Sequence, residues 1–169
     1  MNEMRRKDRK MDEDFAWSVF DRSDCQVLAT VNKDGTPYAV PLSCARIGKD
    51  IYFHCAKEGQ KIENMINQED VCITAVGEIH IPTGKFTTEF ESCILCGKAS
   101  FVEGAEEKKE ALRAICMRYT PENMNRFEEA IEKSMKITAI VKIEISTVSG
   151  KRKKYGKDGK ELKYGAIEK

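Results

Sequence analysis

The sequence predicts a mainly β protein with flanking helices: an antiparallel six-stranded barrel or strongly curled sheet whose openings the helices cover. Three observations lead there. Six apolar runs carry strand character, and most are joined by tight turns. Their order with the helices (three strands, a helix, two strands) argues against a doubly wound parallel sheet, which alternates strand and helix throughout. Finally, 169 residues suffice to bury one ordinary core without staples or metals, so a single domain accounts for the chain.

Taken in order, Asp12 caps a short helix with Phe15, Ala16, Val19 and Phe20 along one face, ending near Asp21-Arg22-Ser23. "CQVLATV" (25–31) is the first strand, "NKDGTP" turns through Asp34-Gly35, and "YAVPLSCARI" (38–47) is the second. Pro41 cannot donate to a ladder, so this strand lies on an edge or carries a bulge, leaving backbone groups free for a ligand. "GKD" turns the chain into "IYFHC" (51–55), after which Ile62, Met65 and Ile66 mark one buried helical face. "VCITAVG" (71–77) is the fourth strand, "EIHIPTGK" a loop, and 86–102 a long strand bending at Gly97. Two helices follow. The first has an apolar stripe of Leu112, Ile115, Cys116 and Tyr119; the second is capped by Thr120, opens on Pro121 and points Met124, Phe127 and Ile131 inward. The last strand is 137–150.

Composition removes several function classes. No apolar run approaches the ~20 residues of a membrane span, and "MNEMRRKDRKMDEDF" has basic residues with no apolar segment behind them. Neither a spanning helix nor a signal peptide is expected, and the location is read as cytoplasmic. The seven cysteines are odd in number and sit mostly in apolar runs, the usage of small buried hydrophobes in a reducing compartment. Cys93 and Cys96 form a CxxC, but in a strand positions three apart point to opposite faces, so they do not readily share a zinc or a bridge.

Net charge is +1, unevenly placed: five basic and two acidic side chains in 1–10, eight and three in 150–169, and −7 between. Basic ends on an acidic body could bind nucleic acid, but "GKRKKYGKDGKELKYG" has no recognition motif beyond its lysines. Solvated tails, or tails paired with a partner subunit, are the preferred reading.

The join "YFHCAKEGQKIENMI" holds the chemistry. A helix starting near Gln60 presents unpaired N–H groups and the positive end of its dipole; Lys61 adds a full charge and the Gln60 amide a donor, a set suited to phosphate. The bland alternative, in which both are merely solvated, stays open on residue types alone. His54 shares a strand face with Tyr52 and Ala56, opposite Ile51, Phe53 and Cys55, and is a surface or ligand-facing imidazole. With no second histidine or paired cysteine beside it, no metal site is expected. No Ser-His-Asp, HExxH or paired-carboxylate arrangement has usable spacing, so an enzyme built on this chain would draw its chemistry from a cofactor.

"RRKDRKMDED", "LATVNKDGTPYAVPLSCAR", "YFHCAKEGQKIENM", "VCITAVGE" and "KFTTEFESCILCGKASFVE" together resemble the FMN-binding split-barrel proteins of the pyridoxamine 5′-phosphate oxidase-like superfamily, in the nitroimidazole-resistance (Nim-type) reductase branch. The resemblance runs from about residue 4 to about 153 and rests on the order of the segments. It implies a six-stranded split barrel over 1–150 with a basic tail at 151–169, working as a homodimer with FMN at the subunit interface. It implies that Lys61, with Gln60, holds the FMN phosphate; that Val40, Pro41, Leu42 and Ser43 meet the ring edge; and that His54, Cys55 and Ala56 lie between ring and phosphate. Glu91 and Ser92, Ser92 the better of the two, would approach the flavin across the dimer interface. Three departures stand out: Gln60 where many relatives have Arg, Phe90 where Nim-type relatives more often have Tyr, and "KYGAIEK" in place of the Arg-x-His that the oxidase itself uses, which argues against that activity. The implied function is an FMN-dependent oxidoreductase taking electrons from NAD(P)H or another donor and reducing a small electrophile, with a nitroaromatic such as a 5-nitroimidazole as candidate and His54 reaching the substrate. The alternative is a non-catalytic FMN- or haem-binding or storage protein.

Overall fold

The computed structural model describes residues 2–164; residues 165–169, the end of the 151–169 tail and of the "KYGAIEK" stretch, lie outside the described residues. Among the described residues, eight strands form one sheet: β1 (Lys10–Met11), β2 (Gln26–Val31), β3 (Pro37–Leu42), β4 (Ala45–Ile47), β5 (Asp50–Ala56), β6 (Asp70–His80), β7 (Glu89–Phe101) and β8 (Thr138–Lys153). Four α-helices accompany them among the described residues: α1 (Glu13–Arg22), α2 (Gln60–Asn67), α3 (Ala105–Tyr119) and α4 (Phe127–Ser134). The order across the sheet is β3-β2-β6-β7-β8-β5-β4, with β1 on β8 and every pair antiparallel.

The strand count therefore departs from the six expected. The single run 38–47 breaks at Ser43-Cys44 into β3 and β4, because tertiary partners take the backbone groups that a ladder would use. The Cys44 N–H donates to the Oε1 of fully buried Gln26 at 2.9 Å, and the Tyr119 hydroxyl lies 3.0 Å from the Cys44 carbonyl. The extra strand, β1, is drawn from the charged N-terminal segment. It pairs Lys10 with Lys151 and Met11 with Gly150.

This break shapes the molecule. β3 and β4 stand at opposite ends of the hydrogen-bonded order, yet only Ser43 and Cys44 separate them along the chain. Two linking residues span about 10 Å at most, so the sheet must curl until its ends nearly meet. No ladder joins those ends among the described residues, and the sheet stays open along one seam.

Inside the curl lies a core of Leu28, Ile51, Phe53, Ile73, Leu95, Val141 and Ile143, plugged by Trp17, Val19 and Phe20 of α1. The expected cap holds, since Asp12 Oδ1 accepts from the Phe15 N–H at 2.8 Å. A second cluster gathers Tyr52, Val102, Leu112, Phe127, Ile131 and Ile140 beneath α3 and α4, so β5 is covered on both faces and Ile51, Tyr52 and Phe53 are buried in succession. Thr120 does not cap as expected: Pro121–Arg126 is a 3-10 turn, and the Thr120 hydroxyl donates back to the Cys116 carbonyl. Ile66 is 71% exposed, and the inward place on α2 goes to Asn64.

The N-terminal segment and residues 154–164 close on each other. Arg9 Nε lies 2.6 Å from Glu161, Lys163 Nζ 2.7 Å from Asp8, and the Tyr164 N–H donates to the Asp8 carbonyl at 3.0 Å. The Arg9 hydrogen bond, followed by Lys163, holds the Glu161 carboxyl at about 2 against an ordinary 4.5. Asp8 is held well below its usual range, first by Arg6 and then by Lys163. Both pKa values are depressed by folding, so the clasp is at full strength above the ordinary carboxylate range and loosens as pH falls toward the folded values. NMR signals of Tyr164 are expected to hold still from about pH 8 to 5 and to move toward random-coil positions between about pH 4.5 and 2. Movement confined to the histidine range would count against a carboxylate clasp.

Candidate functional site

The seam is not uniform. β4 pairs with only the first part of β5, its last partner being Tyr52, so Phe53–Ala56 have no strand on that side. β3 likewise pairs with β2 alone. The chain enters the Ser43-Cys44 link from β3 and leaves it as β4, and Phe53–Ala56 continue past the link end of β4, toward the start of α2. Unpaired strand edges offer rows of N–H and C=O groups to anything lying between them.

α2 closes the open end. Gly59, at φ 116°, turns the chain in a conformation that L side chains rarely adopt, and no side chain caps the helix. The Ile62 and Glu63 N–H groups donate to the Gly59 carbonyl at 2.9 and 3.2 Å, which leaves those of Gln60 and Lys61 without an intrahelical or side-chain acceptor. Burial pushes the Cys55 thiol up, and the Lys61 charge offsets only part of that rise. Val40, Leu42 and Cys55 are half-buried against the same core that takes Ile62 and Met65 of α2, which places the two rims of the gap and the helix start around one core edge.

The turn is held by a polar network that includes Asn64, Thr30 and Asn32, none of which the sequence marks as a site residue. Asn64 Nδ2 donates to Thr30 Oγ1 at 2.9 Å and to Asn32 Oδ1 at 2.8 Å, while Gln60 Nε2 donates to Asn32 Oδ1 at 3.2 Å and Asn64 Oδ1 at 3.0 Å. Both amide hydrogens of Gln60 are thus spent inside the protein. Gln60 fixes the helix start to the β2–β3 hairpin; the donors left for an anion are Lys61 and the main chain. No spacing rule points to this network, since Asn64 lies two positions from Ile62 and off the Ile62–Met65–Ile66 stripe.

The remaining candidates separate by face. Pro41 points outward in register with Val27, opposite to Val40 and Leu42. Ser43 and Ala56 are exposed. His54 lies beyond the cover of α3, in register with Ile140, and is exposed; partial burial of the ring lowers its pKa, so near neutral pH it is mostly uncharged. Glu91 and Ser92 are not at the gap within one chain. Glu91 is buried between Arg22 and Arg152, each 3.1 Å away, with Gly77 against its side chain; Ser92 points to the outer face between Val76 and Lys151.

A cavity of about 430 Å³ lies elsewhere, between α3 and residues 120–134, and one of about 350 Å³ lies between Ile62 and Ile66 of α2 and the start of β8. No group of three or more metal-ligating side chains is assembled among the described residues. No helix among them is long and apolar enough to cross a membrane.

Comparison with known proteins adds to this geometry. Residues 12–152 match the family model described as pyridoxamine 5′-phosphate oxidase. No curated protein sequence matches the chain. Among solved structures, a Bacteroides thetaiotaomicron protein named for 5-nitroimidazole antibiotic resistance superposes with a TM-score of 0.71 at 24% identity, over 85% of this chain and 86% of that one. The flavocytochrome Anf3 of Azotobacter vinelandii gives 0.71 at 19% identity over 94% and 79%. An FAD- and haem-binding protein of Mycobacterium smegmatis gives 0.75 at 15% identity over 94% and 77%. At these identities the likeness is one of fold.

Proposed function

Because this chain belongs to the pyridoxamine 5′-phosphate oxidase family, we propose that it is an FMN-dependent oxidoreductase of the nitroimidazole-resistance type, acting as a homodimer. The observation that carries the reading is the uncapped start of α2 with Lys61, set at the open end of a seam with free strand edges on both sides. The residues fit a flat phosphorylated coenzyme. Lys61 and the first N–H groups of α2 would take the phosphate dianion. The free edge of β3 at Val40–Ser43 would exchange backbone hydrogen bonds with the polar edge of the ring, and His54, Cys55 and Ala56 would line the stretch between. When bound, the flavin supplies hydride or electron transfer, with electrons from NAD(P)H or another donor.

On a single chain Pro41, Ser43, His54, Ala56 and Gln60 are exposed, so a second subunit is what would exclude water from the seam. Exposed Val76, Ile79, Ile81, Phe86 and Ile94, carried by β6, β7 and their connection, suit contact with another copy. Ser92 points outward near this patch, which favours its reaching a partner's flavin. The neutral imidazole of His54 can orient a substrate through its N–H or lone pair. The Bacteroides protein's name supports a nitroaromatic acceptor.

The test uses purified protein loaded with FMN under anaerobic conditions. NAD(P)H is expected to bleach the flavin absorption, and a 5-nitroimidazole to restore it. A bound flavin that neither donor nor acceptor changes would overturn the enzyme reading and leave a binding protein, the function named for the Mycobacterium smegmatis neighbour.

A further inference from the structure

The CxxC at Cys93 and Cys96 is divided by the sheet: Cys93 lies wholly in the core, and Cys96 faces outward, half-buried. The sulfur opposite Cys96 belongs to another strand. Cys72 of β6 stands in direct register with Cys96 of β7, both half-buried on the same outward face. Residues paired across antiparallel strands have Cα atoms about 4.5–5.5 Å apart, inside the range a disulfide requires. Thr147, in register with Cys96 on its other side, buries a hydroxyl that has no partner.

We propose that Cys72 and Cys96 are a reversible dithiol–disulfide site, closed by a low-molecular-weight disulfide and reopened by thiols. The Cys96 thiolate attacks one sulfur of that disulfide and expels one thiolate, forming a mixed disulfide. Cys72, having given its proton to solvent, attacks the Cys96 sulfur and expels the second thiolate. The protein loses two electrons and two protons, and the oxidant departs as two thiols. Burial, followed by the neighbouring Cys96, pushes the Cys72 thiol up, which slows the second step. The bridge would pin the β6–β7 register beside the exposed Ile94 and Val76.

The full-length protein should be equilibrated in buffers of rising oxidised-to-reduced glutathione ratio, quenched with acid and alkylated. Non-reducing peptide mapping is expected to show one intrachain link, Cys72 to Cys96, with the loss of two hydrogens. Dithiothreitol should reverse it, and the oxidised form should melt a few degrees higher. Cys72→Ser should stop at a glutathione adduct on Cys96. Absence of the link at a ratio that oxidises an unconstrained dithiol peptide would overturn the proposal, as would a link between copies or through Cys93. The wild-type map needs no variant to fold, and neither readout depends on flavin.

Discussion

Gly97→Ala is expected to destabilise the protein by about 3 kcal/mol or more, far beyond an ordinary surface glycine. A Cβ at this position would sit 2.1 Å from the Glu144 carbonyl oxygen and 2.9 Å from its carbon, both main-chain atoms that cannot rotate away. Gly97 lies where β7 shifts register against β8, between the Cys96–Thr147 and Gly97–Ile145 pairs, on the longest ladder of the sheet. Relief would require parting the two strands that carry the core residues Leu95 and Ile143. Gly104→Ala is the matched control: nothing lies within 4 Å of its Cβ, and the cost of placing alanine at the N-cap of α3 is under about 1 kcal/mol. Urea midpoints of the two variants measure the difference. Equal midpoints would mean that the strands at Gly97 are not so close.

Lys61→Ala is expected to weaken FMN binding about 10- to 100-fold, the equivalent of one lost charge-assisted hydrogen bond, while leaving riboflavin binding nearly unchanged. Gln60→Ala should do less, under about tenfold, because its amide hydrogens already serve Asn32 and Asn64 and its loss acts only by loosening the turn. Quenching of flavin fluorescence on titration reads both. A Gln60→Ala variant as impaired as Lys61→Ala would show that the side-chain amide turns toward phosphate; unchanged FMN affinity in Lys61→Ala would remove the cation from the site.

Legibility divided along the range of the interactions involved. The helix at Asp12 and the start of α2 were readable because cap, turn glycine and apolar spacing act within a few residues. Gly97 stood out as an irregular point, and β7 and β8 shift register there, although the nearby Glu144 carbonyl is not visible in the sequence. The division of 38–47 was not legible, because the groups that cut it, Gln26 and Tyr119, lie 18 and 75 residues from Cys44. β1 was hidden by its charged composition, since its pairing comes from β8 rather than from any strand propensity of its own. In the site, Gln60 and Lys61 stood out by position. Whether Gln60 faced a ligand or the hairpin depended on Thr30, Asn32 and Asn64, and only the fold brings those together. The CxxC spacing pointed at the wrong partner for Cys96 for the same reason: register, not sequence distance, decides which sulfurs meet.

The central claim is that the seam between β3 and β5, closed by the start of α2, is a socket for the phosphate of a flavin. Calorimetric titration of the wild-type protein with FMN and riboflavin, side by side, tests it most directly. The account predicts saturable binding of both ring systems with FMN tighter by at least about 100-fold, the worth of a phosphate met by a lysine and a helix start. Equal affinities for the two, or no binding of either, would contradict it.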